Sequence, residues 1–282
     1  DTRGIVYAGG ENDFGFLQPA ETGRTGYISL VRMFAGSDTA NNLAVGAITS
    51  AAADSNSVYF SDGMRIFTIS AGADSISVKD LASDYGISNV SALLSFDNSL
   101  IIADNVRGLF SFKNDELTRI PGGEKTAPSQ IVRLLPYDRD NILLGDAAKG
   151  MTLFNSRTGN MRNFPAVQPQ AGVTGGQTLT DIVLIPGNLI AAGYAGRGGV
   201  RIYSDDGVLL QHVSEKTAPV SESSVSAMYC HHSSNSQLWF CTTGFINRAY
   251  VSMPASEFTS VSGISSVCGP LAEYGGSIYA GT

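Results

Sequence analysis

Acidic and basic side chains recur at a fixed spacing in three segments of the chain. An acid directly follows a small residue and a base stands three places further on; the acids are Asp62, Asp104 and Asp146, and the bases are Arg65, Arg107 and Lys149. Arg197 and Arg248 are looser counterparts of the bases, in units where the loop after the small residue is expected to be longer. The planar fork of an arginine suits carboxylates, so cations gathered on one surface would bind an anionic or polyhydroxylated ligand. Asn105 and Tyr194 complete this candidate ligand-binding set.

The same acids and bases have a simpler interpretation, in which they pair as solvated bridges within and between neighbouring loops. Such exposed bridges are worth about 0–1 kcal/mol each. On a chain with a formal net charge of −7, the sequence leaves both interpretations open.

Residues suited to catalysis or metal binding are sparse. The histidines are His212, His231 and His232, and none belongs to an H-E-x-x-H motif. The one dense run, Cys230-His231-His232, falls on a predicted strand, where successive side chains point to opposite faces and do not converge. We therefore predict no catalytic residue, no metal site and no cofactor.

Glycine-rich and Asp-rich segments are better explained as turns than as ligand loops. Segments 172–176 and 193–199 lack the G-K-[ST] ending of a phosphate-binding loop and a following helix. Segments 138–140 and 204–207 do not continue to the glutamate of a calcium loop. We interpret them as loops and hairpin turns.

The composition is that of a folded protein with many tight turns. Of 282 residues, 43% are hydrophobic, 15% are charged and 32 are glycines, which argues against a disordered chain and a coiled coil. The net charge of −7 provides no global attraction to nucleic acid or to an anionic membrane. No apolar run approaches the roughly 18 residues of a membrane span.

One short pattern organises the chain: two or three apolar, strand-type residues, then a small residue, then a turn. It occurs seven times, at 6–9, 58–61, 100–103, 142–145, 189–192, 238–241 and 278–281. An apolar run precedes most copies, and two further alternating runs follow. Four short antiparallel strands every 40 to 50 residues are typical of a β-propeller.

We therefore predict an all-β protein, a β-propeller of four-stranded antiparallel blades, with about six to seven blades and at least five of them around one axis. The small residues, expected to lie in the crowded region near the axis, are Gly9, Ser61, Ala103, Gly145, Ala192, Cys241 and Gly281. Residues 1–282 are expected to form a single domain with partial blades at both ends, a fragment of a longer propeller region. The loop after the second strand is expected to share a rim with the connection between blades.

The spacing of two cysteines allows a disulfide. A two-residue turn at Asn235-Ser236 would place Cys230 opposite Cys241, with Cα atoms about 4.5–5.5 Å apart, which a disulfide accommodates. The alternative is two small buried thiols.

The repeats at 97–112, 140–154 and 187–203 combine a turn, an apolar strand, a small residue, a glycine and a terminal aromatic residue. They resemble the two-component regulator propeller repeat of bacterial sensor proteins. The opening segment 6–17 looks like the early blades of the subgroup that carries a triple-tyrosine domain after the propeller.

The resemblance implies a non-catalytic, ligand-sensing part of a bacterial signal-transduction regulator, located in the periplasm. Its implied partner is a small molecule, carbohydrate or anionic, and the full-length regulator would allow a homodimer. Neither direct nucleic-acid binding nor membrane contact is expected of this fragment. The alternatives are a protein-docking scaffold and, with less support from the residues, a propeller hydrolase or lyase.

Overall fold

The computed structural model describes residues 5–19, 23–34, 44–70, 76–164, 177–218, 220, 222–231, 237–251, 271–274 and 277–280. The strands form seven antiparallel sheets in which each strand pairs with the next along the chain.

The first sheet has three strands: β1 (Val6–Gly9), β2 (Phe14–Pro19) and β3 (Thr25–Ser29). Four complete blades of four strands follow. The first has β4 (Ser50–Ala53), β5 (Ser57–Ser61), β6 (Arg65–Ser70) and β7 (Ser77–Asp80), and the second has β8 (Val90–Phe96), β9 (Ser99–Asp104), β10 (Gly108–Lys113) and β11 (Glu116–Arg119). The third has β12 (Ile131–Pro136), β13 (Asn141–Asp146), β14 (Gly150–Asn155) and β15 (Met161–Phe164), and the fourth has β16 (Leu179–Ile185), β17 (Leu189–Tyr194), β18 (Gly199–Tyr203) and β19 (Leu209–Val213). The described part of the next sheet has β20 (Val225–His231), β21 (Gln237–Thr242) and β22 (Phe245–Tyr250), and the last has β23 (Leu271–Tyr274) and β24 (Ser277–Ala280).

The helices among the described residues are short. They are α1 (Leu30–Met33), α2 (Leu81–Tyr85) and the 3₁₀ turn η1 (Gly123–Thr126). None is long or apolar enough to cross a bilayer.

The first strands of successive blades lie side by side around a common channel. Strands β4, β8, β12, β16 and β20 contact one another in this order, and all five line one cavity. The predicted β-propeller is confirmed. Of the five complete blades expected, four are complete in the described residues, and any fourth strand of the β20 blade falls outside them.

Each space between neighbouring blades is filled by apolar side chains from both. Between the β8 and β12 blades, Leu109, Ile142 and Phe154 are fully buried in one cluster. Burying a side chain of this size stabilises the fold by about 1.5–3 kcal/mol. A single blade has two apolar faces, so it gains this energy only when stacked between neighbours.

Small residues on the second strands allow the close approach near the axis that the repeat predicts. A Cβ added to Gly145 would lie 3.1 Å from Ile182 Cδ1, and one added to Gly193 would lie 2.7 Å from Val225 Cγ1. The repeat alignment is wrong by one residue in the fourth complete blade: Gly193, not Ala192, pairs at the position that Gly145 holds in the third.

The hairpin turns agree with the sequence. Asp97 and Asn98 have φ of 49° and 56°, the left-handed conformation that tight hairpins require. Asp138 Oδ1 accepts hydrogen bonds from the backbone N–H groups of Asp140 and Asn141 at 2.9 and 2.8 Å. Segment 172–176 lies outside the described residues, whereas 193–199 forms the end of β17 and the turn into β18.

The predicted pairing of the two cysteines is wrong. Cys230 lies opposite Leu238, and Cys241 lies opposite Ala227. The last pair before the turn is His231 with Gln237, so five residues separate the strands instead of two. The two cysteines are not joined to each other, and Cys230 is buried.

Candidate functional site

The side chains of the three acids predicted on the rim are buried and hold the rim together. In each of Asp62, Asp104 and Asp146, Oδ1 accepts hydrogen bonds from the backbone N–H groups two and three residues later, at 2.7–3.2 Å. Oδ2 accepts from a backbone N–H just before the first strand of the same blade; the donors are Gly46, Asn89 and Gln130. The expectation that these two loops share one rim is confirmed.

The cations that follow these acids also contact the rim itself. Arg65 Nε and Nη2 lie 3.0 and 2.5 Å from Asp62 Oδ2. Arg107 Nη1 donates to the carbonyl oxygens of Tyr85 and Gly86, at 2.5 and 3.1 Å. Lys149 Nζ donates to the carbonyl oxygen of Pro128 at 2.5 Å. The acid–base bridge of the simpler interpretation is therefore present at Asp62, while Arg107 and Lys149 bind main-chain oxygens.

Burial and hydrogen bonding act in opposite directions on the carboxyl group of Asp62. Burial alone would raise its pKa, but the hydrogen bonds from Arg65 and from backbone N–H groups outweigh it. The pKa of Asp62 is thus lower than its ordinary value, and the carboxylate form is favoured.

Asn105 and Tyr194 also have internal partners. Asn105 Oδ1 accepts from Ser91 Oγ and from the N–H of Ile131, both at 3.0 Å, and so joins two blades. Tyr194 occupies the position that the acids hold in other blades. Its ring lies 4.3 Å from the Arg201 guanidinium carbon, and burial raises its pKa.

The two looser cations differ in position. Arg197 is exposed on the turn between β17 and β18, as expected. Arg248 was expected in a long loop, but it lies inside β22 opposite Trp239. The β21–β22 turn is only Thr243-Gly244, so Arg248 is not on the rim.

The sequence did not predict the most distinctive polar contact, which lies in the channel. Arg133 on β12 and Asp181 on β16 occupy equivalent positions, each just after a bulge near the rim end of its strand. Arg133 Nε lies 2.9 Å from Asp181 Oδ1, and Nη2 lies 3.1 Å from Oδ2. The Arg133 side chain is 45% exposed and that of Asp181 5%.

Asp181 raises the pKa of Arg133 although burial alone would lower it. The charged form of the Arg133 guanidinium is therefore favoured. The sequence does contain a sign of this contact, because the apolar runs Ile131–Pro136 and Leu179–Ile185 each contain one charged residue and the two charges are opposite.

Arg133 lines a cavity with a volume of about 470 Å³, within the range of small-molecule sites. Its wall is mainly apolar and includes Leu94, Leu135, Leu184 and Tyr229. Among the described residues, Arg133 is the one charged side chain that lines it. Tyr229 also borders a second cavity, of about 340 Å³, beside β1 and β4.

His212 lies on the outer strand β19, and its Nε2 is 2.9 Å from the carbonyl oxygen of Gly198. No group of three metal-ligating side chains occurs in the described part of the chain. His232 lies outside it.

The fold and channel define the chain as a β-propeller, and its similarities to solved structures agree. The extracellular domain of BT4673 from B. thetaiotaomicron, described as a hybrid two component system, is similar with a TM-score of 0.61 and 14% identity. The match covers 86% of this chain and 31% of that one, so the chain spans about a third of its length.

Two lyase structures are also similar in fold. A streptogramin B lyase has a TM-score of 0.61 and 14% identity, covering 88% of this chain and 76% of that one. A catalytically inactive variant of virginiamycin B lyase from Staphylococcus aureus, with quinupristin, has a TM-score of 0.56 and 15% identity, covering 82% and 70%. At such identities the likeness establishes the fold. No protein-family model and no curated protein matches the sequence.

Proposed function

We propose that this propeller is the extracytoplasmic, ligand-sensing domain of a bacterial signal-transduction regulator. The observation that carries the proposal is the channel cavity, in which an apolar wall surrounds the partly exposed guanidinium of Arg133. A cavity of this size with few convergent polar groups is the usual form of a small-molecule site. The repeat resemblance and the similarity to the BT4673 extracellular domain support the sensor role and the periplasmic location.

Ligand binding in the channel would act on the whole ring. The cavity is lined by the first strands of five successive blades, so an occupant bridges elements otherwise joined through nearest-neighbour contacts. Because such a ligand binds the assembled ring and not the unfolded chain, it stabilises the fold. Binding of a small molecule would in this way make the ring more rigid, and this change could be transmitted to an attached output domain.

The predicted rim site forms a second part of the proposal. Arg197 is exposed and would meet an anionic or polyhydroxylated ligand that approaches the rim. Arg65, Arg107 and Lys149 would have to give up contacts with Asp62 or with main-chain oxygens. The rim therefore favours recognition through Arg197 over recognition through a cluster of cations.

The test is a thermal-shift screen followed by calorimetry, with neutral oligosaccharides, uronic acids, and short aliphatic amides and carboxylates. A ligand at 100 times its Kd adds about 2.7 kcal/mol of stability, a rise of about 5–10 °C in Tm for a chain of this size. Arg133→Gln should reduce the shift of a channel ligand, and Arg197→Ala that of a rim ligand. A folded protein that binds no member of the panel would contradict the proposal.

A docking scaffold is the second candidate, because one strand exposes large apolar side chains. On β22, Phe245 is 53% and Ile246 74% exposed, which is unusual for a strand of a stacked blade. Such a surface suits a protein partner or a second copy of the chain. Sedimentation of the wild type and of Ile246→Ser would test for the homodimer; an unchanged monomer in both would argue against it.

A further inference from the structure

Arg133 presents hydrogen-bond donors to the channel, and the carboxylate of Asp181 balances its positive charge. Its Nε and Nη2 are bound to Asp181, while Nη1 has no partner among the described residues. The guanidinium is the exposed member of the pair and Asp181 the buried one. A molecule in the channel therefore meets the free donors of Arg133 first.

The carboxylate of Asp181 has no remaining capacity for a ligand. Its Oδ1 accepts hydrogen bonds from Arg133 Nε and from the backbone N–H of the next residue, Ile182, at 2.9 Å each. Its Oδ2 accepts from Arg133 Nη2 and from the N–H of Met228, at 3.1 and 2.8 Å. Two donors on each oxygen match the usual capacity of a carboxylate, so the pair offers donors and no acceptor.

The charge balance of the pair disfavours an anion. A ligand carboxylate at Arg133 Nη1 would be attracted by the guanidinium and repelled by Asp181 just behind it. No second cation among the described residues lines the cavity to offset this repulsion. A neutral acceptor, such as a carbonyl, ether or hydroxyl oxygen, gains the hydrogen bond without the repulsion.

The remaining wall calls for an apolar body. Leu94, Leu135 and Leu184 lie half-buried on three successive first strands, and Tyr229 lies exposed on a fourth. Contact with these side chains removes apolar surface of the ligand from water, which favours binding in proportion to the area buried.

We propose that the channel binds an uncharged amphiphilic molecule, which directs an acceptor oxygen to Arg133 Nη1 and packs an apolar body against the leucines. This inference rests on the proposed sensing function and names its ligand class. This ligand class differs from the anionic or polyhydroxylated ligand that the sequence suggested for the rim.

The experiment compares hexanamide with hexanoate, two probes of the same shape that differ in charge, by ligand-observed NMR titration. We expect the wild type to bind hexanamide at least threefold more tightly. Asp181→Asn keeps an acceptor oxygen for Arg133 but removes the negative charge, so the preference should invert towards hexanoate. Arg133→Gln should weaken hexanamide binding at least threefold, and Lys113→Ala, which removes an exposed cation at the end of β10 away from both proposed sites, should behave as the wild type.

Each result decides the inference. A wild type that prefers hexanoate, an unchanged preference in Asp181→Asn, or unaltered hexanamide binding in Arg133→Gln would overturn it. If Asp181→Asn does not fold, Arg133→Gln and the wild-type preference decide alone. If the protein binds another member of the ligand panel and Arg133→Gln leaves that binding intact, this inference fails while the sensing function stands; if nothing binds, both fail.

Discussion

The carboxylate of Asp181 accepts a hydrogen bond from the backbone N–H of Met228 at 2.8 Å and joins the first strands of two adjacent blades. The hydroxyl of Ser50 makes the equivalent contact with the N–H of Leu93 at 2.9 Å, two blades before Arg133. Ala92 and Ala227 occupy the same register position in their blades and have no side-chain acceptor. The same contact between neighbouring first strands is therefore made by a hydroxyl at Ser50 and by a carboxylate at Asp181.

Removal of these two acceptors should have unequal effects on stability. Asp181→Ala leaves Arg133 without its carboxylate and Met228 without its acceptor, so we expect a loss of about 2–3 kcal/mol. Ser50→Ala removes one neutral acceptor and should cost about 1 kcal/mol. Urea unfolding of both variants measures the difference, and equal losses would show that the Arg133–Asp181 pair adds nothing.

Two equivalent glycines should differ in their tolerance of a side chain. Gly108 and Gly150 each begin the third strand of a blade with φ of 92° and 81°, so alanine is strained at both. A Cβ on Gly108 would lie 2.1 Å from the carbonyl oxygen of Gly123, whereas one on Gly150 meets nothing within 4 Å. We expect Gly150→Ala to cost about 1–2 kcal/mol and Gly108→Ala several times more, by urea unfolding. Similar losses would mean that η1 moves away freely.

Acid should destabilise the protein partly through Asp62. Because its folded-state pKa is lower than the unfolded value near 4, its contribution to stability is present above pH 4 and is lost as the pH falls through the folded pKa. Asp62→Asn should be less stable at pH 7, and its unfolding free energy should fall less between pH 5 and pH 3. Parallel pH profiles of wild type and variant would exclude this contribution.

The two described cysteines should stay reduced and react at different rates. Cys241 is partly exposed, whereas Cys230 is buried, and burial raises the pKa of its thiol, which slows reaction. In a Cys268→Ser background, we expect Ellman's reagent to modify Cys241 first and Cys230 only slowly. Mass spectrometry after mild oxidation should find no bond between them; its presence would restore the register expected from the sequence.

Substitution of two rim arginines should have different effects on stability and on ligand binding. Arg107→Ala removes the bonds to Tyr85 and Gly86 and should lower stability by about 1 kcal/mol. Arg197→Ala should leave stability unchanged and weaken the binding of uronic acids, if any bind at the rim. Unfolding and calorimetric titration of both variants provide the readout, and a stable Arg107→Ala with lost binding would return Arg107 to the ligand site.

The features that the sequence predicted correctly are those that depend on residues close together in the chain. Strand alternation, the turn at Asp97-Asn98 and the small residue at Gly145 are each specified within a few residues. The Arg133–Asp181 contact was missed because its members are 48 residues apart and meet only after a bulge in each strand. Arg248 was misplaced for a similar reason: the length of the preceding turn was assumed, and the register of β22 depends on it.

Two sets of side-chain hydrogen bonds at the first strands differ in the sequence separation of their partners. Those of the rim acids join residues 15 or 16 apart, within one blade. Those of Ser50 and Asp181 span 43 and 47 residues, from one blade to the next. Short loops close with less loss of chain entropy than long ones, so each blade can close on itself before it docks. Assembly of the ring would then proceed as the sequential addition of preformed units, in the order in which the ribosome releases them.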